Sequence, residues 1–566
     1  MTTQGQFKVR LLAAAFAVLG TTSATAVSFD NGTVSGSFDS AVTLGIGVRT
    51  QSPGCDTIIG TTAGTPTPPT GSGAPSGCID ALSMINDQGN LNYARGDFFT
   101  TYLKGTHELF LKIPDNWSFF GRVNWLADAT ATHATGYLSG GGNGDSFPGS
   151  AGSELRFKPR LLDLWINKNF DLNGQQARLR VGNQVISWGE SLFLPGGINQ
   201  TNSMDLMRLA QPGTQLKEVF LPAPIASLAT GLGHGVNVEG YVQAKWNGHY
   251  FPPVGSYWST ATIGPGADSY GIFGATTHNP KDGGQYGIAL HYQPEATQVN
   301  FGVYAMRYHD KAPVVTYADP ATASGAYFSY LEDRTLYGIS ASFPLGDWAI
   351  GAELSYRPKD AIALNPIAAN NVDGGACLVG GKCYIDEKKY QAHVTALLSL
   401  TPGDYGPLLN LLGKADTATL LAEAVVVSYP NLKTTYQGVP PAPGLWGWGF
   451  LNANDPSFGT PQQGVGTSTS WGYNFDFSWT YDGKLIPGWQ VTPEIYFFQA
   501  VKGRTPNAMA LFMEGAKSAN FIVTFVKNPA TWQFAVNYAA FWGGSSVLDQ
   551  PLRGRNFVGA YVTRNF

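Results

Sequence analysis

The sequence predicts an all-β protein, a transmembrane antiparallel β-barrel of about 18 strands with short turns at one end and long loops at the other. Three observations predict it. Two-faced strands, apolar on one side and polar on the other, recur along the chain at about ten residues each, enough to cross a hydrocarbon layer of roughly 25–30 Å when tilted. The connections between them alternate between short and long. Only 13% of the 566 residues are charged, where about 25% is usual, while 13% are aromatic and glycine numbers 70. Because a bilayer core holds no water, every backbone group on such strands needs a partner, and closure alone leaves no edge.

Residues 1–26 read as a secretory signal: Lys8 and Arg10, an apolar run from Leu11 to Leu19, then Ala24-Thr25-Ala26 before Val27. The expected mature chain, 27–566, is a single barrel domain. Losing those two cations takes the formal charge from -4 to about -6, which excludes the basic face a nucleic acid requires. Elsewhere no run of about 18 apolar residues stands out, so no transmembrane helix is expected. The four cysteines suit an oxidising compartment, with Cys55 near Cys78 and Cys377 near Cys383 expected to pair locally.

The first strand alternates Gly36, Phe38, Val42, Leu44, Ile46 and Val48 with polar neighbours. Short connections follow at Pro114 to Asn116, Asp171 to Gly174, Gly231 to Gly235, Pro294 to Ala296, Pro344 to Asp347, Asp482 to Gly488 and Lys527 to Ala530. They read as periplasmic turns, and the Gly- and Pro-rich segments between them as extracellular loops. The pattern is plainest where Trp471, Tyr473, Phe475, Phe477, Trp479 and Tyr481 take every second position. Such a face points to lipid. Segments 225–230 and 418–429 are the weakest, which leaves 16 strands as the alternative count. Between Pro402 and Thr417, Leu408, Leu409, Leu411 and Leu412 form a small helical apolar face on the periplasmic side, packed on its own barrel or offered to a partner. The chain ends on Val558, Ala560, Val562 and Phe566, similar to the terminal strand signal that the barrel assembly machinery reads, with Arg564 a departure from it.

One long connection differs from the rest. Residues 190–222 hold Leu192, Phe193, Leu194, Ile198, Met204, Met207 and Leu209 between Pro195-Gly196-Gly197 and Gln211-Pro212-Gly213, too apolar a set to stand in water. The segment is expected to fold into the lumen or to cap the mouth, and as a constriction it would use Trp188, Glu190, Phe193, Leu194, Met204 and Met207. The candidate lumen-lining residues are Arg178, Arg180, Glu239, Lys245, His291, Glu353, Arg357, His393, Asp476 and Glu494, of mixed sign rather than a ring of one charge. No catalytic residue, cofactor or metal is expected. The eight histidines are scattered, and Ser191 lacks the second glycine of a nucleophile elbow.

Asn90-Leu91-Asn92-Tyr93, Arg95-Gly96-Asp97, Lys104-Gly105-Thr106-His107-Glu108-Leu109, Arg180 to Gln184 with Ser187 to Ser191, Gly197-Ile198-Asn199, Leu216-Lys217-Glu218 and Pro252-Pro253-x-Gly255-Ser256-Tyr257 together resemble the proteobacterial family of the domain of unknown function DUF1302. The resemblance spans essentially the mature chain. It implies a Gram-negative outer-membrane protein whose partners are membrane lipids, a periplasmic lipoprotein carrier and a resistance-nodulation-division exporter. The expected activity is that of a channel or transporter for small hydrophobic compounds or lipids. The alternative is a non-conducting docking platform for the periplasmic partner, and an outer-membrane hydrolase is the third class.

Overall fold

The structure is a computed structural model and describes residues 27–52, 88–132, 149–260, 276–319, 324–364, 381–444, 464–545 and 549–566. Eighteen strands close into one antiparallel ring. They are β1 (Ser35–Arg49), β2 (Phe98–Ile113), β3 (Trp117–Asp128), β4 (Phe157–Leu172), β5 (Gln175–Gln184) and β6 (Ala223–Gly233). Next come β7 (Val236–Gln243), β8 (Gln285–Tyr292), β9 (Asn300–Tyr308), β10 (Arg334–Leu345), β11 (Trp348–Ala363) and β12 (Tyr384–Leu400). The ring is completed by β13 (Thr417–Ser428), β14 (Thr469–Ile486), β15 (Trp489–Lys502), β16 (Ala516–Lys527), β17 (Trp532–Gly543) and β18 (Phe557–Asn565). Both weakly patterned segments are strands, β6 and β13, which settles the count at eighteen.

Each strand pairs with its sequence neighbours, and β1 closes on β18 with Leu44 opposite Val562 and Val48 opposite Val558. The ladder runs to the last residue: Phe566 N donates to Ser40 O at 2.7 Å. Arg564, the departure from the terminal pattern, is sheathed by aromatic rings, with its guanidinium 4.9 Å from the Trp532 centroid and 5.6 Å from that of Phe566. Among the described residues no helix is long and apolar enough to cross a membrane.

The alternation along each strand assigns the two faces. Val303 and Ile339 lie opposite each other on β9 and β10, more than half exposed on the outside, while Ala289, Val425 and Val427 point inward with no exposure. Such an apolar exterior is untenable in water and is what a hydrocarbon layer receives. Leu179, Val242 and Ile288 line an outer concavity of about 880 Å³ on this lipid face. The protein is a transmembrane β-barrel of the outer-membrane type, in which short turns mark the periplasmic end and long loops the extracellular end.

One turn carries a helix, α1 (Pro402–Leu411), whose Leu409 packs into Leu398, Leu400, Ala415 and Ala418 of the barrel rim, while Leu411 stays 84% exposed. The expected turn at 482–488 is shorter, because β14 runs on to Ile486 and leaves Pro487-Gly488 to reverse the chain. Cys383 is disulfide-bonded, and Cys55, Cys78, Cys377 and the signal segment lie outside the described residues.

At the extracellular mouth, segments far apart in sequence lock together. Arg49 donates to the carbonyls of Asn90, Tyr93 and Gly554, and Arg555 to those of Tyr257 and Ser259. Tyr257 stacks on Phe99 at 3.8 Å, and Asn92 donates to Gly255 O at 2.9 Å. Guanidinium groups suit this task because five fixed donors collect several loop carbonyls at once.

Placing a cation on the lipid belt tests the face assignment. Val303→Arg is expected to cost about 2–4 kcal/mol of stability if it sits at mid-bilayer, read as a lower guanidinium midpoint in lipid vesicles, whereas Thr395→Val on the inner face, which loses only the 3.3 Å bond to Gly351 O, should cost about 0.5–1.5 kcal/mol.

Candidate functional site

Between β5 and β6 the chain turns inward, from Val185 to Pro222. It contains a short 3-10 helix (Gly197–Thr201), a two-residue ladder (Ser203–Met204 with Phe220–Leu221) and two single-turn helices, Leu206–Leu209 and Leu216–Val219. None of these buries enough surface to stand alone. What holds the excursion is its attachment to inward side chains on two opposite walls.

The first arm is fixed to β11, β12 and β13. Glu353 accepts from Glu190 N at 2.6 Å and from Ile198 N at 3.0 Å. Glu423 accepts from Leu192 N at 3.3 Å, Phe193 N at 2.7 Å and Leu194 N at 2.8 Å. Three successive N–H groups converging on one carboxylate make a small anion nest. Both glutamate side chains have no exposure, so these bonds replace the water they lost. His393 sits between them, its Nδ1 2.7 Å from Glu423 and its Nε2 2.8 Å from Gln391 Nε2. Gln391 Nε2 also donates to Pro195 O at 3.1 Å. Since an amide nitrogen only donates, His393 accepts at Nε2 and donates from Nδ1 to Glu423. Arg357 completes this wall by reaching Gly197 O and Gln200 Oε1, both at 3.3 Å.

Glycine is required where the chain passes Glu353. Gly189 (φ 87°) and Gly197 (φ 60°) are both left-handed, and a Cβ on either would collide with the Glu353 carboxylate.

The second arm is fixed to β2 and β3, halfway round the ring. Tyr102 OH donates to Pro212 O at 2.6 Å, and Lys104 Nζ to Gly213 O at 2.8 Å and Glu218 at 2.6 Å. Thr106 and Asn124 donate to the other Glu218 oxygen, and Arg208 reaches Asn124. Burial works to raise the Glu218 pKa, but Lys104 overrides it and holds the carboxyl below its usual range. Residues 185–222 are thus a crossbar tied to both sides of the lumen.

Beside the crossbar lies a cavity of about 760 Å³. Leu194, Met204, Leu216, Phe220, Met509 and Leu511 give it apolar wall, and Arg357, Asp360, Lys389, Gln391, Asp476 and Glu494 give it polar wall. Of the candidate lumen residues, Glu353 and His393 act as crossbar anchors, while Arg357, Asp476 and Glu494 reach the cavity. Arg178, Glu239 and His291 gather round a separate recess nearer the periplasmic turns, with Arg178 and Glu239 3.9 Å apart. Arg180 stacks on Trp165 at 4.1 Å. Lys245 is a correction: β7 ends at Gln243, whose side chain caps Lys245 O, and Lys245 is exposed beyond the strand.

Of the constriction candidates, Trp188 is buried against Tyr241 and Tyr304 and donates to Glu239 at 3.1 Å. Glu190 bonds to Glu353 through its backbone, and Phe193 meets the Tyr496 ring at 5.7 Å. Leu194 is buried with Ile362, Val425 and Phe512, and Met204 lines the cavity. Met207 departs from the set, packing under the mouth against Ala131, Ala151 and Leu155. Sequence reasoning missed Glu423, Gln391, Lys104 and Glu218. The available signal was a lone carboxylate among Ala422, Ala424 and Val425 on β13, and a lysine within an otherwise uncharged stretch of β2.

Fold and site together define a transmembrane β-barrel of the outer-membrane class with a doubly anchored lumen segment. The chain belongs to the family described as Protein of unknown function (DUF1302), whose model matches residues 8–566. No curated protein matches it. Among solved structures it is similar to a BenF-like porin from Pseudomonas fluorescens Pf-5, at 10% identity and a TM-score of 0.40 over 94% of this chain and 98% of that one. OccAB1 of Acinetobacter baumannii is similar at 9% identity and a TM-score of 0.40, over 96% and 97% of the two chains. OccK2 (OpdF) of Pseudomonas aeruginosa is similar at 10% and 0.39, over 94% and 97%.

Removing one anchor should loosen one arm. Glu423→Ala strands the N–H groups of Leu192, Phe193 and the buried Leu194, at a cost of about 1–3 kcal/mol for a buried donor, so hydrogen exchange of the Leu192–Leu194 amides should accelerate by roughly tenfold or more; unchanged protection would contradict the anchoring. A pH dependence follows from Lys311, buried in the extracellular loop beside Asn247. Burial pushes its ammonium down to about 7, against about 10.4 in an unfolded chain. Between those values the unfolded state binds the extra proton, so the Lys311 contribution makes stability rise with pH across that window. Lys311→Met should remove that part of the slope and raise the unfolding midpoint at pH 7.

Proposed function

We propose that the protein is an outer-membrane channel or transporter for small hydrophobic compounds or lipids, with the crossbar from Val185 to Pro222 as its constriction. The observation that carries this reading is the crossbar itself. A segment tied to opposite walls narrows the lumen, and the cavity beside it offers an apolar wall formed by Leu194, Met204, Leu216 and Phe220 opposite charged groups. A pore for hydrated ions has no use for such a wall, whereas an apolar solute gains from each side chain it meets. Passage of a bulky solute then requires the crossbar to yield, and anchors built from discrete hydrogen bonds allow one arm to release while the other holds.

A second reading rests on α1. Leu411 is 84% and Leu408 41% exposed on the periplasmic rim, where a lipoprotein carrier or an exporter component would meet the barrel.

Planar-bilayer conductance tests the first reading. Deleting Leu194 to Gln211 should raise single-channel conductance, and Glu353→Ala combined with Glu423→Ala should raise it or make it flicker; no change in either variant would sink the constriction. For the second reading, capture of a periplasmic lipoprotein by the purified barrel should be lost when 402–417 is replaced by a short turn, with conductance unaltered.

A further inference from the structure

The cavity beside the crossbar is short of donors. Asp476 on β14 and Glu494 on β15 both line it as diagonal neighbours on one face, Asp476 standing opposite Tyr496, and no cation among the described residues forms an ion pair with either. Two carboxyl groups so close are held together by a shared proton or by a bound cation. Gln391, 1% exposed, lines the same cavity at the level of Ser470, six residues along the strands from Asp476, and has no partner for its Oε1. Asn474, also 1% exposed and on the same face two residues before Asp476, donates to Tyr496 OH at 3.2 Å and leaves its own Oδ1 unpaired.

The cations that reach this cavity are committed elsewhere. Arg357 bonds to Asp360 at 3.1 Å, Lys389 lies 3.8 Å from the same carboxylate, and Lys311 donates to Asn247. Against these acceptors stands one unpaired donor, Nε of Arg357. A solute that repairs the imbalance brings positive charge and several N–H groups on a compact head, which describes an ammonium with its three donors. The neighbours of the acid pair select an organic cation over a hydrated metal ion. Tyr496 lies on the cavity beside Glu494, and Phe193 packs at 5.7 Å from its ring, so aromatic faces flank the site. The wall then continues through Leu194, Leu216, Met509 and Leu511, which suits a hydrocarbon chain and not the all-oxygen shell a divalent ion demands.

We infer that the cavity receives an amphiphilic amine, its ammonium held between Asp476 and Glu494, and its hydrocarbon along the apolar wall. This rests on the reading of the barrel as a channel for apolar compounds and names the chemical class within it.

The test uses the full-length barrel in lipid nanodiscs, titrated calorimetrically at pH 7.5 with hexylamine, 1-hexanol, hexanoate and calcium chloride. Hexylamine should bind at least about tenfold more tightly than hexanol or hexanoate, the increment expected of a charge-assisted pairing. Asp476→Asn combined with Glu494→Gln should bring the amine-to-alcohol ratio to about one; should that variant not assemble, Asp476→Asn alone should lower the ratio. Equal affinity for hexanol and hexylamine overturns the amine assignment and leaves the channel reading standing. Calcium bound with hexylamine excluded, an inorganic cation only, overturns it as well. If none of the three organic compounds binds, the channel reading falls together with it.

Discussion

The closure of β1 on β18 is the constraint on which everything else in this molecule rests. In hydrocarbon an unpaired strand edge exposes a row of N–H and C=O groups that no solvent can satisfy. The ladder from Ala41–Asn565 to Arg49–Phe557, extended by Phe566 to Ser40, removes the two edges that an open sheet of these strands would have had. Closure also explains why the terminal strand tolerates Arg564. At the periplasmic rim the guanidinium lies over Trp532 and Phe566 and keeps its charge at the interface while its stem stays with the apolar belt.

An eighteen-strand ring encloses more space than inward side chains alone can fill. The crossbar takes up that space, and its backbone then faces the problem that strands solve by pairing with one another. Side chains of the wall serve instead. Glu353 and Glu423 act as acceptors for five crossbar N–H groups, and Glu218 acts in the reverse direction, carried on the crossbar and received by Lys104, Thr106 and Asn124. Burial of three carboxylates is tolerable because each is saturated with donors. The same logic places the glycines: the close approach that makes these bonds leaves no room for a Cβ at Gly189 or Gly197.

The extracellular mouth is built on a different device. Arg49 and Arg555 gather loop carbonyls from segments separated by hundreds of residues, and Tyr257 wedges among Tyr93, Phe99 and Trp258. The motifs Asn90 to Tyr93 and Pro252 to Tyr257, far apart in the chain, are therefore one contact. Crossbar and mouth meet at Met207, whose packing under the loops sets it apart from the lumen-facing Met204.

The sequence by itself determined the barrel, its even strand number, the side of each connection and the face of each strand. All of these follow from a period of two and from turn chemistry, which are local. It also marked 190–222 as an apolar segment in need of a burial partner, and it placed Glu353, Arg357, His393, Asp476 and Glu494 on inward faces. Only the tertiary structure decided what those residues meet. That Glu423 would receive Leu192 to Leu194, that Lys104 would hold Glu218, and that Lys245 would fall beyond the end of its strand depends on how far each strand runs and on where an irregular segment crosses the ring. Neither has a periodic signature, because contacts between a loop and a distant wall are fixed by the closed geometry and not by neighbours in the chain.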